Sequence, residues 1–283
     1  MKFDLENPLT GFDGDEENGA VSALFAGESD HMPSFFSFKS TDVRFSIRHH
    51  SFTLISQAQF SYNIDRVTAY LAFNYIDRFL SKQVVLENKQ WIVRILVIAS
   101  LSLAAKMRSI NLSISHIINP ISDSMKKQFE QRTEGLIFDL QSVHRMESLI
   151  LATLNWRLRS ITPFAFLQFF NSLFELSESS ASQSLEDRAS DIIFNSHYEI
   201  KLLKYKPSVL AASAFLCAAH ELIPEQVSFF LDAINSKCEH IYKEQLLNCW
   251  SVMREITTDE VTSSSLTPNS VLDQEHTSSQ SED

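Results

Sequence analysis

Apolar residues recur along this chain at helical spacing, in stripes separated by short polar breaks. The least interrupted stripe is 91–106, WIVRILVIASLSLAAK, apolar on every side except at Arg94. A helix that is hydrophobic all round must be enclosed by protein or by lipid. The uncharged run 95–105 falls far short of the ~20 residues needed to span a bilayer. The pattern therefore predicts the central helix of a soluble helical domain. Its second half is small (Ala99, Ser100, Ser102, Ala104, Ala105), which lets neighbouring helix axes approach to ~8–10 Å. Lys106 is the first charge after the run and, taken alone, reads as a solvated helix end.

Other stripes flank this one. A helix from 41 or 42 to about 59 carries Phe45, Ile47, Phe52, Leu54, Ile55 and Ala58 as a ragged apolar face, with Thr41 or Asp42 as its cap. A second runs over 64–81, the central one over 90–107, a short fourth ends before Pro120, and a fifth spans 139–154. Val143, Met146, Leu149, Ile150 and Leu154 form its inner face. Residues 157–161 read as a linker, and Thr162-Pro163 as a helix start, a cap followed by proline at the first helical position. A second set is expected at 163–176, 185–201, 207–221, 224–234 and 239–254, with breaks at Lys206-Pro207 and Ile223-Pro224. LSLAAK (101–106) and FLCAAH (215–220) are both small-residue apolar helices, third in their sets, so the halves read as a repeat. The resulting division is an acidic, weakly ordered segment 1–40, with Phe35, Phe36 and Phe38 packed on the adjoining domain; two helical domains, 41–159 and 160–254; and an unstructured acidic Ser/Thr-rich tail 255–283.

Composition agrees with long helices: 5 Gly and 7 Pro in 283 residues leave little turn chemistry. The formal net charge of −11 disfavours nucleic acid, whose binding draws on neutralised phosphates. Cys217, Cys238 and Cys249 are an odd number without CxxC spacing and fit a reducing compartment. The acidic N-terminus lacks the apolar core of a secretory signal.

Catalytic motifs are missing. There is no GxGxxG, GxxxxGK[ST], HExxH or GxSxG. His49 and His50 are adjacent and point about 100° apart on a helix, which suits a shared metal poorly. Cys238, His240 and Cys249 do not have the spacing of a closed zinc site. No cofactor or metal is expected, and an interaction protein is favoured over an enzyme.

Four segments together resemble a plant D-type cyclin: TAYLAFNYIDRFLS (68–81), WIVRILVIASLSLAAKM (91–107), HRMESLILATLNWRLRSITPF (144–164) and KYKPSVLAASAFLCAAHEL (204–222). The resemblance covers roughly 40–255. It implies an all-α tandem cyclin fold of two five-helix repeats. It also implies a non-catalytic subunit that binds and activates a cyclin-dependent kinase and promotes G1/S progression and cell division, with kinase-inhibitor proteins as further candidate partners. In that family the Lys after the Ala-rich third helix and the Glu of the RME in the fifth bind the kinase; here these are Lys106 and Glu147. Met107, Leu151 and Trp156 match other kinase contacts. A nuclear location, shared with the cytoplasm, follows from the resemblance alone.

Some positions depart from the family pattern. The LxCxE motif for retinoblastoma-type pocket proteins has only a degenerate match, Leu24, Ala26 and Glu28, so weak or no pocket-protein binding is expected. Its loss, with His31-Met32-Pro33-Ser34 and Lys106-Met107-Arg108, fits the sixth plant subgroup. The first-helix substrate-docking patch maps to Ile47, Arg48, His50, Ser51 and Leu54, where polar residues weaken an apolar groove. Arg108 and Ser109 replace the Glu-Glu expected after the Lys. These changes motivate an alternative, a tandem-cyclin-fold adaptor or competitor that binds without activating. Thr267, the only Thr-Pro or Ser-Pro pair of the tail, is a candidate phosphosite in a degradation segment.

Overall fold

The computed structural model describes residues 14–39, 42–83, 90–112, 140–173 and 179–264. Among these residues the regular elements are all helical.

The first domain is built on two enclosed helices. α4 (Arg66–Lys82) begins where the Asp65 carboxylate accepts the Thr68 N–H at 2.9 Å, and every residue from Thr68 to Leu80 is buried. α5 (Gln90–Met107) packs against it and is buried without a break over 95–105. α3 (Asp42–Tyr62) crosses both, and α6 (Leu140–Thr153) closes the bundle on α5 through Val143, Ile150 and the following Leu154. The short helix expected before Pro120 lies outside the described residues.

The second domain repeats the plan. A tight turn, Pro163–Phe166, leads into α7 (Leu167–Leu173), then α8 (Ser179–Ser196) and a turn at Ile200–Lys204. α9 (Pro207–Leu222) is buried from Pro207 to Ala219 and takes the place of α5, with α8, α10 (Val227–Lys237) and α11 (Lys243–Ser264) packed around it. Thr162 makes no side-chain cap bond; the fixed φ of Pro163 starts the turn without it.

With so few glycines, helices end on other residues in the left-handed region. Asn63, Ser109 and Asn155 have φ of 50°, 58° and 53°. Each is followed by an N–H that bonds a carbonyl five residues back: Ile64 to Gln59, Ile110 to Ala105, Trp156 to Leu151. Asn tolerates this conformation because its short polar side chain bonds locally; Ser is a less usual choice.

Three expectations need correction. Residues 14–27 form a helix, α1, continued by a turn at Glu28–His31. Val21, Leu24 and Phe25 are buried, and Phe25 packs against Phe166, Phe169 and His240 of the second domain. Acidic composition concealed a short apolar face with a ready-made seat. α2 (Phe36–Lys39) places Phe38 in the core but leaves Phe36 exposed. At the other end α11 continues past 254, with Ile256 and Thr257 buried; the rest of the tail, with Thr267, lies outside the described residues.

The domains meet around a buried ion pair. Arg48 donates Nε and Nη2 to the Asp77 carboxylate at 2.9 and 3.2 Å, and Nη1 and Nη2 to the Tyr198 and His197 carbonyls at 2.5 Å each. Arg48 is 2% exposed and Asp77 0%. The linker is held in turn by Arg78, which donates to Ser160 Oγ and the Arg157 carbonyl at 2.8 Å each. All three cysteines are buried free thiols. No helix among the described residues is long and apolar enough to cross a membrane.

Candidate functional site

Lys106 and Glu147 come together. Lys106 Nζ stands 2.7 and 2.9 Å from the two Glu147 carboxylate oxygens, across 41 residues of sequence. The Lys106 side chain is 54% exposed and that of Glu147 is 9% exposed. The carboxylate is thus a fixed base set into the bundle, and the ammonium is the group presented outward.

Two residues not singled out from the sequence hold that carboxylate. Ser102, buried one turn before Lys106 on α5, donates its hydroxyl to Glu147 Oε1 at 2.5 Å. His144, one turn before Glu147 on α6, has Nδ1 3.1 Å from Oε2. Both are legible in hindsight, because positions three and four apart on a helix share a face. Burial alone would raise the Glu147 pKa; hydrogen bonds from Lys106, Ser102 and His144, and the Lys106 charge, outweigh it and hold the carboxyl below its usual range.

The chain leaves this pair along fixed paths. After Lys106 the Ser109 turn closes α5. Arg108 then binds the Asp65 carboxylate and, at 2.5 Å, the Thr68 hydroxyl, tying the exit of α5 to the cap of α4. Lys106 sits in the last turn of α5, where the helix dipole favours a cation. Beyond α6, Asn155 and Trp156 both take positive φ, and the Trp156 ring is left 75% exposed. Leu149, expected on the inner face of this helix, is instead 46% exposed, and two residues from Glu147 it points to another side of α6. Met107 and Leu151 are half-buried and rest on the core. The site is an exposed ammonium on a buried carboxylate, with apolar side chains on α6 and the turn after it.

The other candidates fall elsewhere. Ile47, Arg48 and Ser51 are 2%, 2% and 0% exposed. They are interior residues, which corrects the docking-patch reading for these three; Arg48 is committed to the domain junction. His50 and Leu54 are half-buried. The degenerate pocket-protein match is inside the fold as well. Leu24 is buried, and Glu28, 0% exposed, accepts the Ser208 N–H at 2.8 Å and its hydroxyl at 3.0 Å at the start of α9. Lys206 Nζ lies 3.6 Å from the same carboxylate. Of the three matched positions only Ala26 faces solvent.

Comparison with known proteins agrees with the fold. The cyclin N-terminal domain model matches residues 21–159, and the cyclin C-terminal domain model residues 161–281. The chain is 37% identical to cyclin-D6-1 of Arabidopsis thaliana, over all of this chain and 93% of that protein. It is 35% identical to cyclin-D6-1 of Oryza sativa, over 89% of this chain and 73% of that one. Among solved structures, a viral cyclin from Herpesvirus saimiri superposes with a TM-score of 0.67 over 84% of this chain and 96% of its own, at 16% identity, a likeness of fold alone. The repeated bundle, the two matched domain models and the full-length likeness to plant D6 cyclins agree: this chain belongs to the cyclin family, among the D-type cyclins.

Proposed function

We propose that the chain is the regulatory subunit of a cyclin-dependent protein kinase, binding through the Lys106–Glu147 pair and promoting entry into division. The observation that carries this is the pair itself: a carboxylate enclosed by the fold and saturated by Ser102, His144 and Lys106, holding an exposed ammonium at a set position. A rigid donor of this kind suits a backbone carbonyl or carboxylate on a partner. Trp156 and Leu151, the latter four residues beyond Glu147 on the same face of α6, would be the desolvated anchors around it, since apolar anchors carry most interface energy and charges set register.

Activation would follow from differential affinity. An inactive kinase holds its regulatory helix turned out, which breaks the Lys–Glu pair that orients ATP. A subunit that binds the helix-in state more tightly shifts the population toward it by that difference. The cyclin supplies no reacting group; its action is nuclear, with kinase-inhibitor proteins as competing partners. Weak or absent pocket-protein binding is supported by the burial of Leu24 and Glu28.

Lys106→Glu tests the reading directly. The side chain is half exposed, so the helical signal should persist, while charge reversal against Glu147 should abolish co-purification of a cyclin-dependent kinase from plant extract. Undiminished capture by the folded variant would remove the pair from the interface.

A second reading, an adaptor that binds without activating, draws on Arg108. Where the resemblance expects Glu-Glu offered to a partner, Arg108 is turned back onto Asp65 and Thr68. Histone-kinase activity of the reconstituted pair separates the two: binding without stimulation supports the adaptor.

A further inference from the structure

His144 differs from the other groups that hold the Glu147 carboxylate. Ser102 is buried, and its hydroxyl is spent on Oε1. The His144 side chain is 59% exposed, with Nδ1 3.1 Å from Oε2. One edge of its ring serves the carboxylate, and the other faces away from it.

The chemistry of Glu147 fixes the proton on that ring. Burial would raise the Glu147 pKa, but hydrogen bonds from Lys106, Ser102 and His144 outweigh it and keep the group ionised. An ionised carboxylate only accepts. A bare Nδ1 would set one lone pair against another, so in the neutral ring the proton is on Nδ1. Nε2, on the opposite edge, is then a bare acceptor. Among the described residues nothing bonds to it. Lys106, 54% exposed, grips the same carboxylate from α5 at 2.7 and 2.9 Å and is a donor only. One enclosed carboxylate therefore presents a donor and an acceptor from two helices.

We propose that His144 is a partner contact and a specificity-determining residue: its Nε2 accepts a backbone N–H of the partner, beside the partner carbonyl that accepts from Lys106. This rests on the kinase-binding reading of the Lys106–Glu147 pair. The site selects a turn or loop, where a carbonyl and an N–H are both free. It passes over a helix interior, whose groups bond one another. A partner offering only acceptors here is rejected, because a carbonyl against Nε2 pairs two acceptors.

The test measures the affinity of the full chain for a purified plant cyclin-dependent kinase by biolayer interferometry, from about pH 8 to about pH 6, where an imidazole changes charge. His144→Asn sets an amide N–H in the place of Nδ1, keeps the bond to Glu147 and has no acceptor at the Nε2 position. It should weaken binding about three- to tenfold, as for one lost neutral hydrogen bond. His144→Gln carries an oxygen to the Nε2 position and should recover most of the affinity. Ser102→Ala loosens the carboxylate from inside and spares the acceptor, so it should cost less than His144→Asn. Position 144 is exposed, so helical signal and melting should match the parent. The parent's advantage over His144→Asn should shrink as pH falls, because protonation turns Nε2 into a donor. Glu147 on α6 and Lys106 on α5 are the charged groups at the ring, and α4 brings Lys82 only to the Thr153 end of α6. The Asn variant keeps these neighbours, so the comparison isolates the imidazole. Equal affinity of His144→Asn and the parent, no recovery in His144→Gln, an equal loss in Ser102→Ala, or an advantage independent of pH would overturn the proposal. In each case a loss of binding in Lys106→Glu would leave the kinase interface standing. Unchanged binding by Lys106→Glu, or no binding by the parent, would overturn both.

Discussion

Replacing Asp77 with Asn isolates one carboxylate at the domain junction. The substitution keeps volume and one acceptor oxygen but deletes the charge facing Arg48, which is 2% exposed. The Arg48 bonds to the His197 and Tyr198 carbonyls are untouched, so the loss reports on the Asp77 charge, which faces Arg48 and, at 3.4 Å, His197 Nε2. Unit charges 2.9 Å apart attract by about 6 kcal/mol at an effective dielectric of about 20. The remaining oxygen recovers part of that through a neutral hydrogen bond. A net loss of about 3–5 kcal/mol is expected, the range for leaving one member of a buried pair uncompensated. For a chain of this size that lowers the melting temperature by roughly 6–20 °C. Urea unfolding followed by far-ultraviolet circular dichroism measures it. Because Asp77, in the first domain with Arg48, also stands 3.4 Å from His197 Nε2 of the second, its charge bears on the junction, and the single transition should also separate into two. Kinase capture at low temperature should persist, since Lys106 and Glu147 lie on other helices. A loss below about 1 kcal/mol, with one sharp transition, would refute the reasoning and make the junction a packing contact in which the charges cancel their own desolvation.

Three further outcomes are expected. Burial outweighs the Ser208 bonds and raises the Glu28 pKa above its ordinary 4.5, so the folded chain holds that proton more tightly than the unfolded one. Relative to Glu28→Gln, the parent chain should be most stable below about pH 4.5 and should lose that advantage as pH rises through the raised value; parallel thermal melts from acid to neutral pH check the sign. The lowered Glu147 pKa acts in the opposite sense: its contribution is complete above the ordinary 4.5 and disappears as pH falls through the depressed value, which an acid titration of Glu147→Gln against the parent should show. Restoring the pocket-protein motif with Ala26→Cys should give tight capture by an isolated peptide but not by the full chain, because Leu24 and Glu28 are inside the fold; equal capture by both would show that the segment opens freely.

Much of the architecture is present in hydrophobic periodicity alone. The apolar run and its closing Lys bound α5 at 90–107, and the structure has Gln90–Met107. α9 follows from Pro207 and the same small-residue pattern. The partners of the Glu147 carboxylate are half visible, since Ser102 with Lys106 and His144 with Glu147 sit at helical spacing. Local signals of this kind suffice because the periodicity of a helix and the hydrophobicity of its faces are properties of neighbouring residues.

Charged interior groups are not visible in that way. Arg48 and Asp77 are 29 residues apart, and Glu28 and Ser208 are 180 apart. Until a fold brings the partners together, a charge destined for burial looks the same as one destined for water, and solvation favours the second reading. This is why Arg48 reads as surface in the sequence and why an acidic N-terminal stretch reads as unfolded. Sequence by itself determined the order of the described helices in the two domains and the duplicated bundle, though not the N-terminal helix. Tertiary structure decided which charges are enclosed and which are paired, because that depends on what stands opposite them in space.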